Sequence, residues 1–297
     1  MNYPRIFERM YCNPLLITAE RFYAAHQVLM PRLRSGADSS FEAAMLDVNA
    51  AVTTTDYRGK RAQRCCPTAS EKGFDPRLYT FAKEGVAVIP IYGVLAKNLS
   101  AFEESCGGGT DISPIAHALS QAAADPEVAK IVLDIDSPGG EVTGIPELGA
   151  RIRSVAAVKP VIAFSDATTA SAAYWAASQA DEFYVTPSSR QGSIGVYAAW
   201  LDETVALEMR GLKLELFAAG KHKAMGAPGR GLSDEEREML QSGVDAIYAD
   251  FKSTVLSQRP GVADSTMQGQ MFRARESVQL GLADGIVEDW ESFVSIV

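Results

Sequence analysis

From Gly85 to Gln258 the chain alternates short, β-branched apolar runs with segments whose apolar residues recur at helical spacing, and this alternation constrains the fold more than any other feature. GVAVIPIYGVL, residues 85–95, reads as a buried strand. ISPIAHALSQAAAD, 112–125, reads as a helix with Ile115, Leu119 and Ala122 on one face. KIVLDID is the next strand, PELGARIRSVAA a helix and KPVIAFS a strand. ASAAYWAASQA follows as a short helix, DEFYVTP as a strand, DETVALEMRG as a helix and LKLELFAAG as a strand. SDEEREMLQSGVDAIYADFKSTVLSQ is a long helix whose acidic first turn suits the positive end of a helix dipole. Strands alternating with helices call for an α/β architecture with parallel pairing. Such folds place functional loops at the carboxyl ends of their strands.

Residues 1–80 break the pattern. Thr18 to Met30 has helical spacing at Phe22, Ala25 and Leu29 and meets Pro31, which cannot continue a helix. The polar stretch after it reads as a loosely ordered arm or linker, so the expected division is an arm over 1–80 and one domain over 81–297. There is no internal sequence repeat.

Composition excludes several function classes. Of the 297 residues, 47% are hydrophobic and 22% charged, ordinary values for a globular chain. The net charge of −9 offers no basic footprint for nucleic acid or an anionic membrane surface. No apolar run approaches the roughly 18 residues that span a bilayer, and the N-terminus lacks the apolar core of a signal peptide, so the expected compartment is the cytoplasm. Cys12, Cys65, Cys66 and Cys106 lack zinc-ligand spacing and read as free thiols. With His26, His117 and His222 scattered and no HExxH, neither a metal nor any other cofactor is expected.

Three loops carry the chemistry. DSPGGEVTG, 136–144, follows the KIVLDID strand; Pro138 fixes its φ, and Gly139 and Gly140 let the backbone turn and present N–H groups. Those groups suit an oxyanion hole or a phosphate cradle, though GxxxxGK[ST] is absent; an ordinary strand–helix turn is the plain alternative. Ser171 opens the Ala-rich ASAAYW helix. A serine there is ordinarily an N-cap; as a nucleophile it would need a base, with the Ala172 N–H facing a developing oxyanion. AAGKHKAMGAP, 218–228, holds Lys221, His222 and Lys223. It reads either as a solvated basic loop or as the source of a base: His222, or a lysine whose pKa burial brings toward neutrality.

DSPGG, ASAAYW, GSIGV at 192–196, GKHKAMG and the tail GQMFRARESVQLGLADGIV, in this order, resemble the signal peptide peptidase A family of serine peptidases. The likeness runs from about residue 85 to 290 and is strongest to the tailed-phage head-maturation peptidases, whose start NPLLITAERFYAAHQ is similar to. The resemblance implies a Clp-protease/crotonase-like fold and a Ser–Lys dyad. In it Ser171 is the nucleophile, Lys223 the general base and Ser193 the residue that orients the lysine amine. Gly139 and the Ala172 N–H form the oxyanion hole, with Gly140 shaping the turn. Unlike the membrane-bound cellular members, this sequence shows no N-terminal anchor, which favours a soluble role.

The expected partners are a protein or peptide substrate, further copies of the chain in a ring whose neighbours complete each site, and capsid, portal or scaffold proteins of a phage head. Nucleic acid and membrane are not among them. Two other readings use the same fold: a crotonase-type acyl-CoA enzyme, which leaves Ser171 and Lys223 without a role, and a non-catalytic capsid-assembly protein. The flexible polar runs AVTTTDYRGKRAQRCC and ESCGGGTD are candidate sites of self-cleavage.

Overall fold

The computed structural model describes residues 14–18, 77–99, 109–227 and 229–297. In chain order the elements are β1 Leu15–Ile17, β2 Thr80–Lys83, β3 Val86–Tyr92, β4 Val94–Ala96, β5 Gly109–Asp111, α1 Ile112–Ala124, β6 Lys130–Asp136, β7 Gly139–Glu141, α2 Ile145–Ala156, β8 Val161–Ser165, β9 Thr168–Ala170 and α3 Ala172–Ala177. They continue with β10 Glu182–Val185, β11 Arg190–Gly192, α4 Thr204–Met209, α5 Asp234–Gln258, a 3-10 turn at Asp264–Thr266, β12 Met271–Arg273, α6 Ala274–Gln279, β13 Gly285–Ile286 and α7 Trp290–Ile296.

Among the described residues the main sheet has six strands in the order β13-β10-β8-β6-β3-β2. All pair in parallel except β2, which runs antiparallel to β3. The apolar runs of the sequence are strands buried on both faces, and their period of two divides them between two cores. Ala87, Ile89, Ile91, Ile131, Leu133, Ile135, Val161 and Ala163 face the larger core with residues of α1, α2 and α3. Val86, Val88, Val132, Ile162 and Phe164 face the smaller one, closed by Phe293 of α7. The Phe293 ring stacks on Phe164 with centroids 4.6 Å apart.

Each of β3, β6, β8 and β10 is followed within a few residues by a shorter strand: β4, β7, β9 and β11 respectively. These short strands form two further sheets, ordered β1-β7-β4-β5 and β12-β11-β9. The α/β expectation with parallel sheets flanked by helices is therefore borne out. The doubling of each strand was not expected, because a three-residue strand carries too little pattern to register in sequence. Gly93, at φ 70°, is where the single predicted strand 85–95 breaks into β3 and β4.

Two further differences have physical causes. LKLELFAAG alternates like a strand, yet residues 212–218 are not in one. Leu212, Leu214 and Leu216 stand exposed, and no strand among the described residues pairs with them. Leu15–Ile17, inside the segment read as an arm, is a strand of the fold, paired with β7. The helix read over Thr18–Met30 lies outside the described residues apart from Thr18, which is not helical, and the four cysteines lie outside them altogether.

Candidate active site

The short strands position every candidate residue except Lys223. β9 delivers Ser171, the first residue beyond it; β11 delivers Ser193 in the same way; β7 contains Gly139 and Gly140. β9 and β11 pair in parallel with Ala170 opposite Gly192, and the Ser171 N–H donates to the Gly192 carbonyl at 2.9 Å. The DSPGG turn is stitched to the same place. The Ser137 N–H donates to the Thr168 carbonyl at 2.7 Å, and the Ala170 N–H donates back to the Ser137 carbonyl at 3.1 Å. Below the turn the fully buried Ser137 hydroxyl donates to the Gly93 carbonyl at 2.6 Å. Ser137 was not singled out in the sequence; only its place before Pro138 and two glycines could have marked it.

Ser171 is 1% exposed and occupies the N-cap position of α3, but its side chain makes no capping bond. Among the described residues its hydroxyl has no hydrogen-bond partner. The backbone is at φ 53°, ψ −117°, a region sparsely populated by residues with a Cβ. Such strain persists only where the surroundings over-determine it, and it concentrates at functional sites. Here the two parallel strands fix residue 170, and all six residues of α3 are buried. Small side chains let that helix sink against its neighbours. Trp175 stacks on Phe251 of α5 with centroids 4.6 Å apart, and the Tyr174 hydroxyl donates to the Leu282 carbonyl at 3.0 Å. Burial pushes the Tyr174 phenol well above its ordinary pKa, which keeps it neutral.

Gly139 lies against the serine. A Cβ on it would stand 2.9 Å from Ser171 Cβ and 2.0 Å from the Leu16 carbonyl oxygen, so only glycine fits, and its φ of 104° demands the same. Its N–H donates to Ser137 Oγ at 3.2 Å, a long bond. The Ala172 N–H, in the first turn of α3, has no acceptor among the described residues. Gly140 is the tightest position of the turn: a Cβ there would stand 1.8 Å from the Leu95 carbonyl oxygen.

Ser193 is half-buried at φ 52°, and its N–H donates to the Gln270 carbonyl at 2.6 Å. The structure thus gathers Ser171, Ala172, Gly139, Gly140 and Ser193 at the ends of neighbouring short strands. Lys223 is not joined to them. It is exposed, and its ammonium has no hydrogen bond or ion pair among the described residues. Its neighbours face α5: Lys221 Nζ lies 2.6 Å from a Glu235 carboxylate oxygen and His222 Nε2 3.5 Å from the other. Among the described residues no group of His, Cys, Asp and Glu could hold a metal ion, and no helix is long and apolar enough to cross a membrane.

The chain is similar to several known proteins. The chain is 36% identical over 211 residues to capsid assembly protease C of Escherichia phage lambda, covering 70% of this chain and 48% of that protein. It is 32% identical over 206 residues to the head-tail preconnector protein GP5 of Enterobacteria phage P21, covering 68% of this chain and 41% of that protein. The chain thus spans less than half the length of either relative. Among solved structures it is similar to a ClpP1 variant from Listeria monocytogenes, with a TM-score of 0.42 and 14% identity over 69% of this chain and 93% of that one. Residues 153–293, which include Ser171, Ser193 and Lys223, match the model of Peptidase family S49.

Proposed function

We propose that this chain is a serine endopeptidase acting through a Ser171–Lys223 dyad. The observation that carries the proposal is Ser171 itself: a helix-opening serine at φ 53° whose hydroxyl caps nothing. A merely structural N-cap would spend its oxygen on the helix and would sit in extended backbone.

The chemistry follows from the groups around it. The neutral Lys223 amine accepts the Ser171 proton as Oγ attacks a peptide carbonyl. The tetrahedral oxyanion meets the Ala172 N–H and the Gly139 N–H, the latter turning from its long bond to Ser137. The lysine ammonium then protonates the leaving amine, and water, deprotonated by the same lysine, hydrolyses the acyl-enzyme. Ser193 holds the amine in line.

In the single chain Lys223 is exposed, which supports a site completed on assembly. The run before it favours the same conclusion. Met209 is 85% exposed and Phe217 95%, and Leu212, Leu214 and Leu216 alternate without a partner strand. This concentration of exposed apolar residues in one stretch of chain supports a contact surface, and a second copy of the chain is the partner proposed here. The natural substrate is proposed to be a capsid or scaffold protein of a phage head, from the names of the relatives in phages lambda and P21.

The test is turnover of unfolded casein by wild type, Ser171→Ala and Lys223→Ala, read by intact mass. Losses of roughly a thousandfold or more in both variants are expected. Equal cutting by wild type and either variant would remove that residue from the dyad. Acyl-CoA binding without peptide turnover would move the site to the crotonase-type alternative.

A further inference from the structure

The edge of β7 beside Ser171 is already taken. β1 lies antiparallel along it, with Leu15 opposite Glu141, Leu16 opposite Gly140 and Ile17 opposite Gly139. The pairing runs on past the strand, where the Thr18 N–H donates to the Pro138 carbonyl at 3.1 Å. The other edge of β1 is also bonded. The Leu15 N–H donates to the Tyr197 carbonyl at 2.8 Å, and the Tyr197 N–H donates to the Leu15 carbonyl at 3.2 Å. A three-residue strand is therefore clamped between the two segments that carry Gly139 and Ser193. The Leu16 carbonyl and Ser171 Cβ flank the same point, the vacant Cβ position of Gly139. Leu16 is fully buried in the larger core.

On the peptidase reading, a peptide attacked by Ser171 brings its carbonyl beside Ser171 and Gly139, the point that the Leu16 carbonyl already flanks. Strand addition of this kind takes affinity from main-chain bonds and selectivity from side-chain pockets. We propose that Leu15–Ile17 is a resident occupant of the substrate strand. It holds the site closed until an incoming peptide displaces it, and it defines that peptide as extended with an aliphatic residue in the place of Leu16. The inference rests on the peptidase reading. Because the occupant is tethered, it competes at an effective concentration on the order of millimolar, so most free peptides lose to it.

The experiment measures casein turnover by the full chain and by Leu16→Asp, which places a carboxylate where an apolar side chain is buried and drives the strand out. Leu16→Ala is the milder second variant, with folding of both checked by circular dichroism. We expect turnover to rise at least tenfold in Leu16→Asp and severalfold in Leu16→Ala. An end-capped NPLLITA peptide at millimolar concentration should return Leu16→Asp toward the wild-type rate, and its Leu-to-Asp analogue at the Leu16 place should not. Competition by this peptide needs no variant, so it is also read on wild type. Unchanged turnover in folded variants, without inhibition by the peptide, overturns the inference; Ser171-dependent cutting by wild type in the same assay would leave the peptidase reading standing. Absence of Ser171-dependent turnover in all three proteins overturns that reading and this one with it. Cleavage of the wild-type chain between residues 14 and 18, seen by intact mass, overturns the resident inhibitor and makes the strand a substrate in cis.

Discussion

Ser171 and Ser193 are each the first residue beyond one of two paired parallel strands, and both have positive φ, 53° and 52°. The pairing of Ala170 with Gly192 means that one rigid ladder aims both hydroxyl-bearing residues at the same end of the short sheet. Strain at two adjacent strand ends is expensive and needs a functional reason.

The strain at Ser171 has a measurable consequence. Ser171→Ala and Ser171→Gly should both lose turnover, because both remove the nucleophile. Their stabilities should differ. Alanine keeps the Cβ in a disfavoured conformation and glycine relieves it, offset by glycine's larger backbone entropy. The glycine variant is expected to be more stable than the alanine variant by about 1 kcal/mol, read from urea midpoints. Equal midpoints would mean that the backbone at 171 is relaxed.

Much of this arrangement was legible before the structure. The buried runs at 86–92, 130–136 and 161–165 have the length and β-branched content that specify parallel strands, and all three are strands. The glycines of DSPGG were readable because a turn that approaches backbone closely leaves no room for Cβ. β7, β9 and β11 were not readable, since three residues hold less than two periods of any pattern. β1 was hidden for a second reason: Leu15–Ile17 is made a strand by an edge lying more than a hundred positions away in sequence. LKLELFAAG failed in the opposite sense. Its alternation is genuine, but alternation specifies a strand only where an edge exists to bind it.

Gly140 offers a sharp test of packing. A Cβ there would meet the Leu95 carbonyl oxygen at 1.8 Å and the Leu95 carbonyl carbon at 2.6 Å, backbone atoms that cannot rotate away. Gly140→Ala should cost about 3 kcal/mol, the upper end for overpacking. Gly243 in α5 is the control, because a Cβ there meets nothing within 4 Å. Gly243→Ala should stabilise by about 0.5–1 kcal/mol through helix propensity. Opposite signs in thermal unfolding are the expected result, and destabilisation by both would show that the space around Gly243 is not open.

The start of α5 should make stability depend on acid. Glu236 accepts from the Ser233 N–H at 2.9 Å and from Arg230 at 2.9 and 3.0 Å. The Ser233 backbone bond, then the Arg230 guanidinium, hold its carboxyl at about 2, below the ordinary 4.5. A depressed folded pKa favours the native state above the unfolded value, and this contribution is lost as pH falls from about 4.5 toward about 2. Glu236→Gln should lower stability at pH 7 and flatten its slope in that window. Urea midpoints of the two proteins that fall in parallel from pH 5 to pH 2 would assign the acid sensitivity elsewhere.

Lys223 and its neighbour His222 separate the candidate bases, and they also report on assembly. His222 Nε2 faces Glu235, 3.5 Å away, rather than Ser171, so His222→Ala should keep most of its turnover. Lys223→Ala should lose roughly a thousandfold or more, since an unassisted serine hydroxyl is a poor nucleophile at neutral pH. The exposure of Lys223 in the single chain makes a stronger statement possible. If one copy's lysine serves another copy's serine, Ser171→Ala and Lys223→Ala chains are each inert, and mixing them creates sites with both groups intact. An equimolar mixture should then recover a sizeable fraction of wild-type turnover, and the recovery should vanish on dilution as copies separate. A mixture that stays inert at every concentration, while wild type cuts, would mean that the loop of residues 218–228 closes onto its own chain's Ser171.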